Sequence, residues 1–112
     1  MTECLFCKMA SGEIKPDVVF ENEYLLAFRD INPRAPVHIL IIPKQHVATL
    51  NDLEDATLAG KLLQIVPAIA KQQGIAPDGY RTVINCNSNG GQEVYHLHIH
   101  LLGGRKLSWP PG

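Results

Sequence analysis

The spacing of hydrophobic positions changes along the chain, and each change marks a new element. Val18 to Phe20 and Tyr24 to Asp30 are β-prone stretches separated by Glu21-Asn22-Glu23, a spacer short enough for a hairpin turn. Pro33 and Pro36 interrupt the chain before Val37 to Ile42, a third apolar strand that Pro43 ends because it has no N–H to give a ladder. From about Asp55 to Gln73 the period becomes helical, with Leu58, Leu62, Ile65, Val66 and Ile69 recurring at three- and four-residue spacing. Asn51 or Asp52 can cap the start, Gly74 can supply a left-handed stop, and Pro67 inside the pattern should kink the helix. Tyr80 to Cys86 and Val94 to Leu102 then read as two more strands, joined by a loop from Asn87 to Glu93. Connections between the paired strands are too short for parallel crossovers. The pattern therefore predicts an α+β fold, a mostly antiparallel five-stranded sheet with one long helix on one face. No repeat or linker divides the chain, so residues 1–112 read as a single domain.

The last strand carries the candidate chemistry. Side chains alternate faces along a strand, so His96, His98 and His100 share one side while Leu97, Ile99 and Leu101 share the other. The apolar side can pack under the helix, leaving three imidazoles spaced about 6.5 Å apart along the backbone. Such a row serves nucleophilic or acid–base chemistry, a metal site, or the packing of structural histidines. Just upstream, Gly90 and Gly91 permit close backbone approach and positive φ, so successive N–H groups there can form an anion nest; a glycine pair is also what an ordinary turn uses. Cys4-x-x-Cys7 has zinc-ligand spacing, and two reduced cysteines would satisfy the same spacing.

Composition narrows the classes. At 112 residues with 46% hydrophobic content and a formal net charge of −1, the chain can build a core, and neither nucleic-acid nor membrane-surface binding is expected. No apolar run reaches the roughly 20 residues of a membrane span, and the N-terminus lacks the charged and apolar zones of a secretion signal. Three cysteines, with Cys86 left over from the Cys4–Cys7 pair, suit a reducing compartment, and the cytoplasm is the expected location.

Taken together, these motifs resemble the histidine-triad nucleotide-binding (HIT) family, and within it the Hint branch of purine nucleoside phosphoramidases. The resemblance covers nearly the whole length. It rests on His96-Leu97-His98-Ile99-His100-Leu101-Leu102 with Gly90-Gly91-Gln92 before it, on Ala27-Phe28-Arg29-Asp30-Ile31, and on Pro36-Val37-His38-Ile39-Leu40-Ile41-Ile42-Pro43-Lys44. Gly103-Gly104-Arg105 and the ending Trp109-Pro110-Pro111-Gly112 are similar to Hint rather than to the diadenosine-polyphosphate hydrolase branch.

The resemblance implies a homodimer whose two sheets join into one of ten strands, and hydrolysis of the P–N bond of adenosine or guanosine 5′-phosphoramidates, releasing AMP or GMP and an amine. His98 is then the nucleophile that becomes nucleotidylated, His100 contacts the reacting phosphate, and His96 completes the catalytic triad. Asp30 binds the ribose, Phe28 and Ile31 line the base pocket, and Asn85 with backbone around Gly91, Gln92 and Glu93 holds the α-phosphate. Trp109 reaches toward the partner's site. A neutral histidine is a competent nucleophile when a hydrogen bond to one ring nitrogen leaves the other free, and a backbone carbonyl is the expected acceptor. No cofactor is required for that chemistry.

By the same resemblance Cys4, Cys7, His46 and His96 can form a structural zinc site; without zinc, His46 and His96 join the hydrogen-bond network around His98. His38, on an apolar strand, reads as a packed core histidine. Glu93 stands where animal members of the branch carry a serine; an ionised glutamate is acceptor-only and would instead attract a cationic, lysine-like leaving group. Two other readings use the same residues. One is a regulatory AMP-binding protein with incidental hydrolysis, which stoichiometric binding with negligible turnover would favour. The other is a structural metal protein, which zinc binding abolished by loss of His98 would favour.

Overall fold

Alternation in the strands and the period of the long helix meet in one sheet. The computed structural model describes residues 4–112. Its strands are β1 (Val18–Glu21), β2 (Leu25–Arg29), β3 (Val37–Pro43), β4 (Tyr80–Val83) and β5 (Ile99–Gly103), all paired antiparallel in the order β1-β2-β3-β5-β4. The β1–β2 hairpin turns on Asn22, whose Oδ1 accepts the N–H groups of Tyr24 and Leu25 at 2.9 and 2.8 Å. β1 and β4 form the two edges.

The long helix α2 runs Ala56–Gln72. Its N-cap is Asp55, which accepts from the N–H groups of Thr57 and Leu58. Asn51 and Asp52, the expected caps, instead belong to a preceding 3-10 turn, Leu50–Asp52, which Thr49 and Asp52 close with a capping box. Gly74 supplies the left-handed residue beyond the helix, with φ +75°. α2 continues through Pro67. Pro67 and Leu63 both lie on the exposed side, where water can satisfy the carbonyl the proline leaves without a donor.

Both faces of the sheet are covered. Leu58, Leu62, Val66 and Ile69 of α2 pack on Leu25, Ala27, Ile39, Ile41, Ile99 and Leu101, joined by Leu97. On the opposite face, Leu26, Phe28, Leu40 and Ile42 pack with Phe6. Phe6 comes from α1 (Leu5–Ala10), a helix that hydrophobic spacing did not predict because only six residues form it and only Phe6 is buried.

The final strand is shorter than the alternation implied. β5 begins at Ile99 rather than Val94, and β4 ends at Val83 rather than Cys86. Residues before β5 are tied to the segment after β3: Leu97 N–H donates to Val47 O at 2.6 Å, and Gln92 Nε2 donates to Ala48 O and Val94 O at 2.9 and 3.1 Å. His96 and His98 therefore lie outside the strand ladder, with a bend over residues 94–96. The expected loop from Asn87 to Glu93 contains a short helix, α3 (Asn87–Gly90). Among the described residues no helix is long and apolar enough to cross a membrane.

Truncating Ile69, 1% exposed, should show what holds α2 to the sheet. Ile69→Ala is expected to cost about 2–5 kcal/mol in urea denaturation, and Leu63→Ala less than about 0.5 kcal/mol. Equal losses at the two positions would contradict the assigned buried stripe.

Candidate active site

His98 is 7% exposed, and its imidazole is fixed by its own backbone: Nδ1 lies 2.7 Å from the carbonyl oxygen of His96. A carbonyl can only accept, so Nδ1 carries a proton, and in the neutral ring the lone pair is left on Nε2. The acceptor is a backbone carbonyl, as the sequence led us to expect. It can take this bond because His96 lies outside the β-ladder that would otherwise claim its oxygen.

A second chain of hydrogen bonds fixes His100. The backbone N–H of Arg34 donates to His38 Nδ1 at 3.0 Å, so the His38 proton sits on Nε2. That proton points at His100 Nδ1, 2.9 Å away, with Asp30 Oδ2 at 3.4 Å from His38 Nε2. His100 therefore accepts at Nδ1 and carries its own proton on Nε2. Burial, followed by the neighbouring His98 and His38, lowers the His100 pKa to about 4, and burial also lowers that of His38. Near neutral pH, His100 is therefore an uncharged donor. The apolar strand around His38 predicts a packed core histidine; its Arg34 partner becomes apparent only when the loop before β3 folds back.

A cavity of about 720 Å³ opens against these groups. Its apolar lining includes Leu5, Phe6 and Met9 from α1 with Phe28, Leu40 and Ile31; its polar lining includes Asp30, Asn85, Gly91, Glu93, His98 and His100. Ile31 is 98% exposed at the mouth, an apolar side chain in a position suited to cover a planar ligand. The α1 residues escaped sequence reasoning; their only signal was Leu5, Phe6 and Met9 within one turn and a third of a potential helix beside Cys4 and Cys7.

Four of the expected residues are placed as follows. The His96 ring is fully buried and does not line the cavity; its Nε2 lies 2.8 Å from Pro43 O and its Nδ1 faces the cysteines. Gln92 is used internally: Oε1 accepts from Asn87 N–H at 2.9 Å, and its own N–H donates to Asn87 O. Gly91 N–H likewise donates to Ser88 O, so the glycine pair forms the end of α3 rather than a nest of free amides; the Glu93 and Val94 N–H groups have no hydrogen bond among the described residues. Trp109, 78% exposed, stands outside the cavity against the Arg81 guanidinium, 5.8 Å from the ring centre.

Two clusters have donor sets that could hold a metal, and their hydrogen bonds tell them apart. In the first, Cys4 Sγ, Cys7 Sγ and His46 Nδ1 lie 3.2, 3.5 and 3.3 Å from His96 Nδ1, and Cys7 Sγ lies 3.3 Å from His46 Nδ1. Tetrahedral zinc bonds would place neighbouring nitrogens about 3.3 Å apart and nitrogen and sulfur about 3.5 Å apart. His96 donates Nε2–H to Pro43 O, so Nδ1 offers the lone pair a metal needs. Burial and the neighbouring Cys4 thiol raise the Cys7 pKa, and a cation would bring it to the thiolate. The second cluster, Asp30, His38 and His100, fails the test: His38 Nδ1 already accepts a hydrogen bond, so Nε2 holds the proton and has no lone pair to give.

Residues 11–107 match the HIT domain family. The chain is 50% identical over 107 residues to the purine nucleoside phosphoramidase of Escherichia coli (strain K12), covering 94% of this chain and 90% of that one. It is 51% identical over 112 residues to the 14 kDa zinc-binding protein of Zea mays, covering 96% of this chain and 87% of that one. Among solved structures, a HIT family hydrolase from Legionella pneumophila superposes with a TM-score of 0.95 at 56% identity, covering 98% of this chain and 100% of that chain.

Depressed histidine pKa values make stability depend on pH with a defined sign. An unfolded histidine titrates near 6.5, whereas folded His100 titrates at about 4, so between those values the unfolded chain binds more protons. Stability is therefore fully present above about pH 6.5 and declines as the pH falls toward 4. Urea denaturation at stepped pH should show a shallower decline for His100→Gln than for the wild type; identical slopes would rule out a neutral, buried His100.

Proposed function

The chain belongs to the HIT domain family, and from that premise we propose that it is a purine nucleoside phosphoramidase that cleaves the P–N bond of adenosine or guanosine 5′-phosphoramidates. The observation that carries this reading is His98, with Nδ1 tied to the His96 carbonyl and the ring lining the cavity beside neutral His100. The E. coli phosphoramidase's half-identical sequence supports the substrate class.

In the proposed reaction the purine lies between Phe28, Ile31 and the α1 side chains, and the Asp30 carboxylate accepts from the ribose hydroxyls. Asp30 is held for that task by Asn32 N–H, which donates to its Oδ1 at 2.9 Å. His98 Nε2 attacks phosphorus, forming an N–P bond as the P–N bond to the amine breaks; the departing nitrogen takes a proton from water. Because Nδ1 keeps its proton, the nucleotidyl-histidine is cationic, and the His96 carbonyl dipole stabilises it. The His100 Nε2–H donates to a phosphoryl oxygen, with Asn85 and the Glu93 N–H as further donors. Water then attacks phosphorus, its released proton neutralising the hydroxide left when the amine was protonated, the N–P bond breaks, and His98 regains its lone pair as the nucleotide leaves.

Three parts of the reading concern surroundings rather than chemistry. Cys4, Cys7, His46 and His96 hold a structural zinc, supported by their tetrahedral spacing and by the zinc-binding maize relative. Two copies join into a ten-stranded sheet, and Trp109 lies toward the partner's pocket; β4 is a sheet edge with Tyr80 exposed, and Trp109 stands clear of its own chain's cavity. The cytoplasm is the proposed compartment, consistent with three free cysteines.

Turnover of an adenosine 5′-phosphoramidate with a fluorescent amine should fall by at least about a thousandfold in His98→Ala at confirmed folding, as expected for loss of a covalent nucleophile. Wild-type binding of AMP with no turnover would instead favour a regulatory nucleotide-binding protein. Glu93 lines the cavity, so its carboxylate should favour cationic leaving groups. Glu93→Gln is expected to lower kcat/KM for a lysine-like amine about three- to tenfold relative to a neutral amine, and an unchanged ratio would remove that role.

A further inference from the structure

The metal cluster and the nucleoside pocket meet in one short helix. Cys4 and Cys7 bracket Phe6, which is 4% exposed, and α1 buries no other residue. The Phe6 ring stands edge-on to Phe28, His98 and His96 at centroid distances of 5.5, 5.3 and 5.9 Å. Leu5, Phe6 and Met9 line the cavity, whereas Cys4 and Cys7 do not.

A helix of six residues is too short to persist by its own hydrogen bonds, and one buried side chain is a small anchor against the backbone entropy of ordering the segment. Half-buried Met9 and Cys4 pack on the Leu26, Phe28, Leu40 and Ile42 cluster, and the polar long-range ties are the approaches of Cys4 and Cys7 to His96 and His46, from the approach to β5 and the segment after β3. A cation shared by these four groups would convert close contacts into bonds. It would join α1 to the backbone unit whose carbonyl orients the nucleophile.

We propose that metal binding at Cys4, Cys7, His46 and His96 sets nucleotide affinity by docking α1 as a wall of the nucleoside pocket, with Phe6 as the positioning residue that carries the effect to His98. This inference rests on the zinc and nucleotide readings above. It goes beyond them because a metal that merely supported the fold would leave the pocket of the folded protein unchanged. If α1 is docked in about a tenth of metal-free molecules, the apparent Kd for AMP rises about tenfold.

The test uses the full chain, stripped of metal with a chelator and reloaded with stoichiometric zinc, with folding followed by circular dichroism. Calorimetry measures AMP binding, and limited trypsin digestion follows cleavage after Lys8, which lies within α1. Metal-free protein should bind AMP about tenfold more weakly and be cut at least about tenfold faster after Lys8, with zinc restoring both. Stoichiometric zinc binding that changes neither readout would overturn the inference and leave the zinc site standing. Failure to bind zinc would overturn both. Should stripping unfold the whole chain, the Cys4→Ala/Cys7→Ala pair replaces two ligands outside the pocket with small apolar groups. Its AMP affinity, compared with that of zinc-loaded wild type, then decides the matter, equal affinity counting against the proposal. If loaded wild type does not bind AMP, the nucleotide reading fails, and so does its control by metal.

Discussion

One hydrogen bond organises the site: the 2.7 Å contact from His98 Nδ1 to the carbonyl of His96. An imidazole in water exchanges tautomers and rotates freely, and as a nucleophile it must present one particular nitrogen without its proton. Here the restraint comes from the main chain two residues earlier, so no separate side chain has to be recruited and held in place. It depends on the backbone at His96 lying outside the ladder, and this in turn depends on Leu97 N–H reaching Val47 O and Gln92 bridging Ala48 and Val94. The nucleophile is thus tied to the chain that leaves β3.

A second restraint works through burial. His38 and His100 are close enough for strong mutual repulsion if both were protonated, and the environment keeps them neutral. With Arg34 N–H holding one end, proton positions along the row are determined in a single direction toward the cavity. The same logic separates this row from the cysteine cluster. At His96 the outward nitrogen is the proton donor, leaving a lone pair for a cation; at His38 it is the reverse.

Much of this was legible in the chain because periodicity reports burial. The two strand hairpin, the helix over Leu58 to Ile69, and the apolar sharing of Leu97, Ile99 and Leu101 follow directly from spacing, and all three pack as that spacing implies. What periodicity cannot report is where a backbone donor goes. Val94 to His98 alternates like a strand but bonds to a loop, and Asn51 and Asp52 look like helix caps but close a turn just before the true cap at Asp55. α1 was hidden for another reason, since six residues with one buried side chain have no repeat to detect. At the site, residue types pointed to the right neighbourhood, whereas the inward roles of Gln92 and His96 and the relay through His38 depend on contacts between segments far apart in sequence.

His96 is held at three points that serve three different parts of the molecule. Its Nε2 is bonded to the end of β3, its Nδ1 faces two cysteines and His46, and its carbonyl oxygen orients the ring of His98. No atom of its imidazole faces the cavity. A histidine in this position can therefore be indispensable to turnover while taking no part in any bond that is made or broken. Counting essential histidines in such a row would overstate the number of groups that handle the substrate, because one of them acts as a joint.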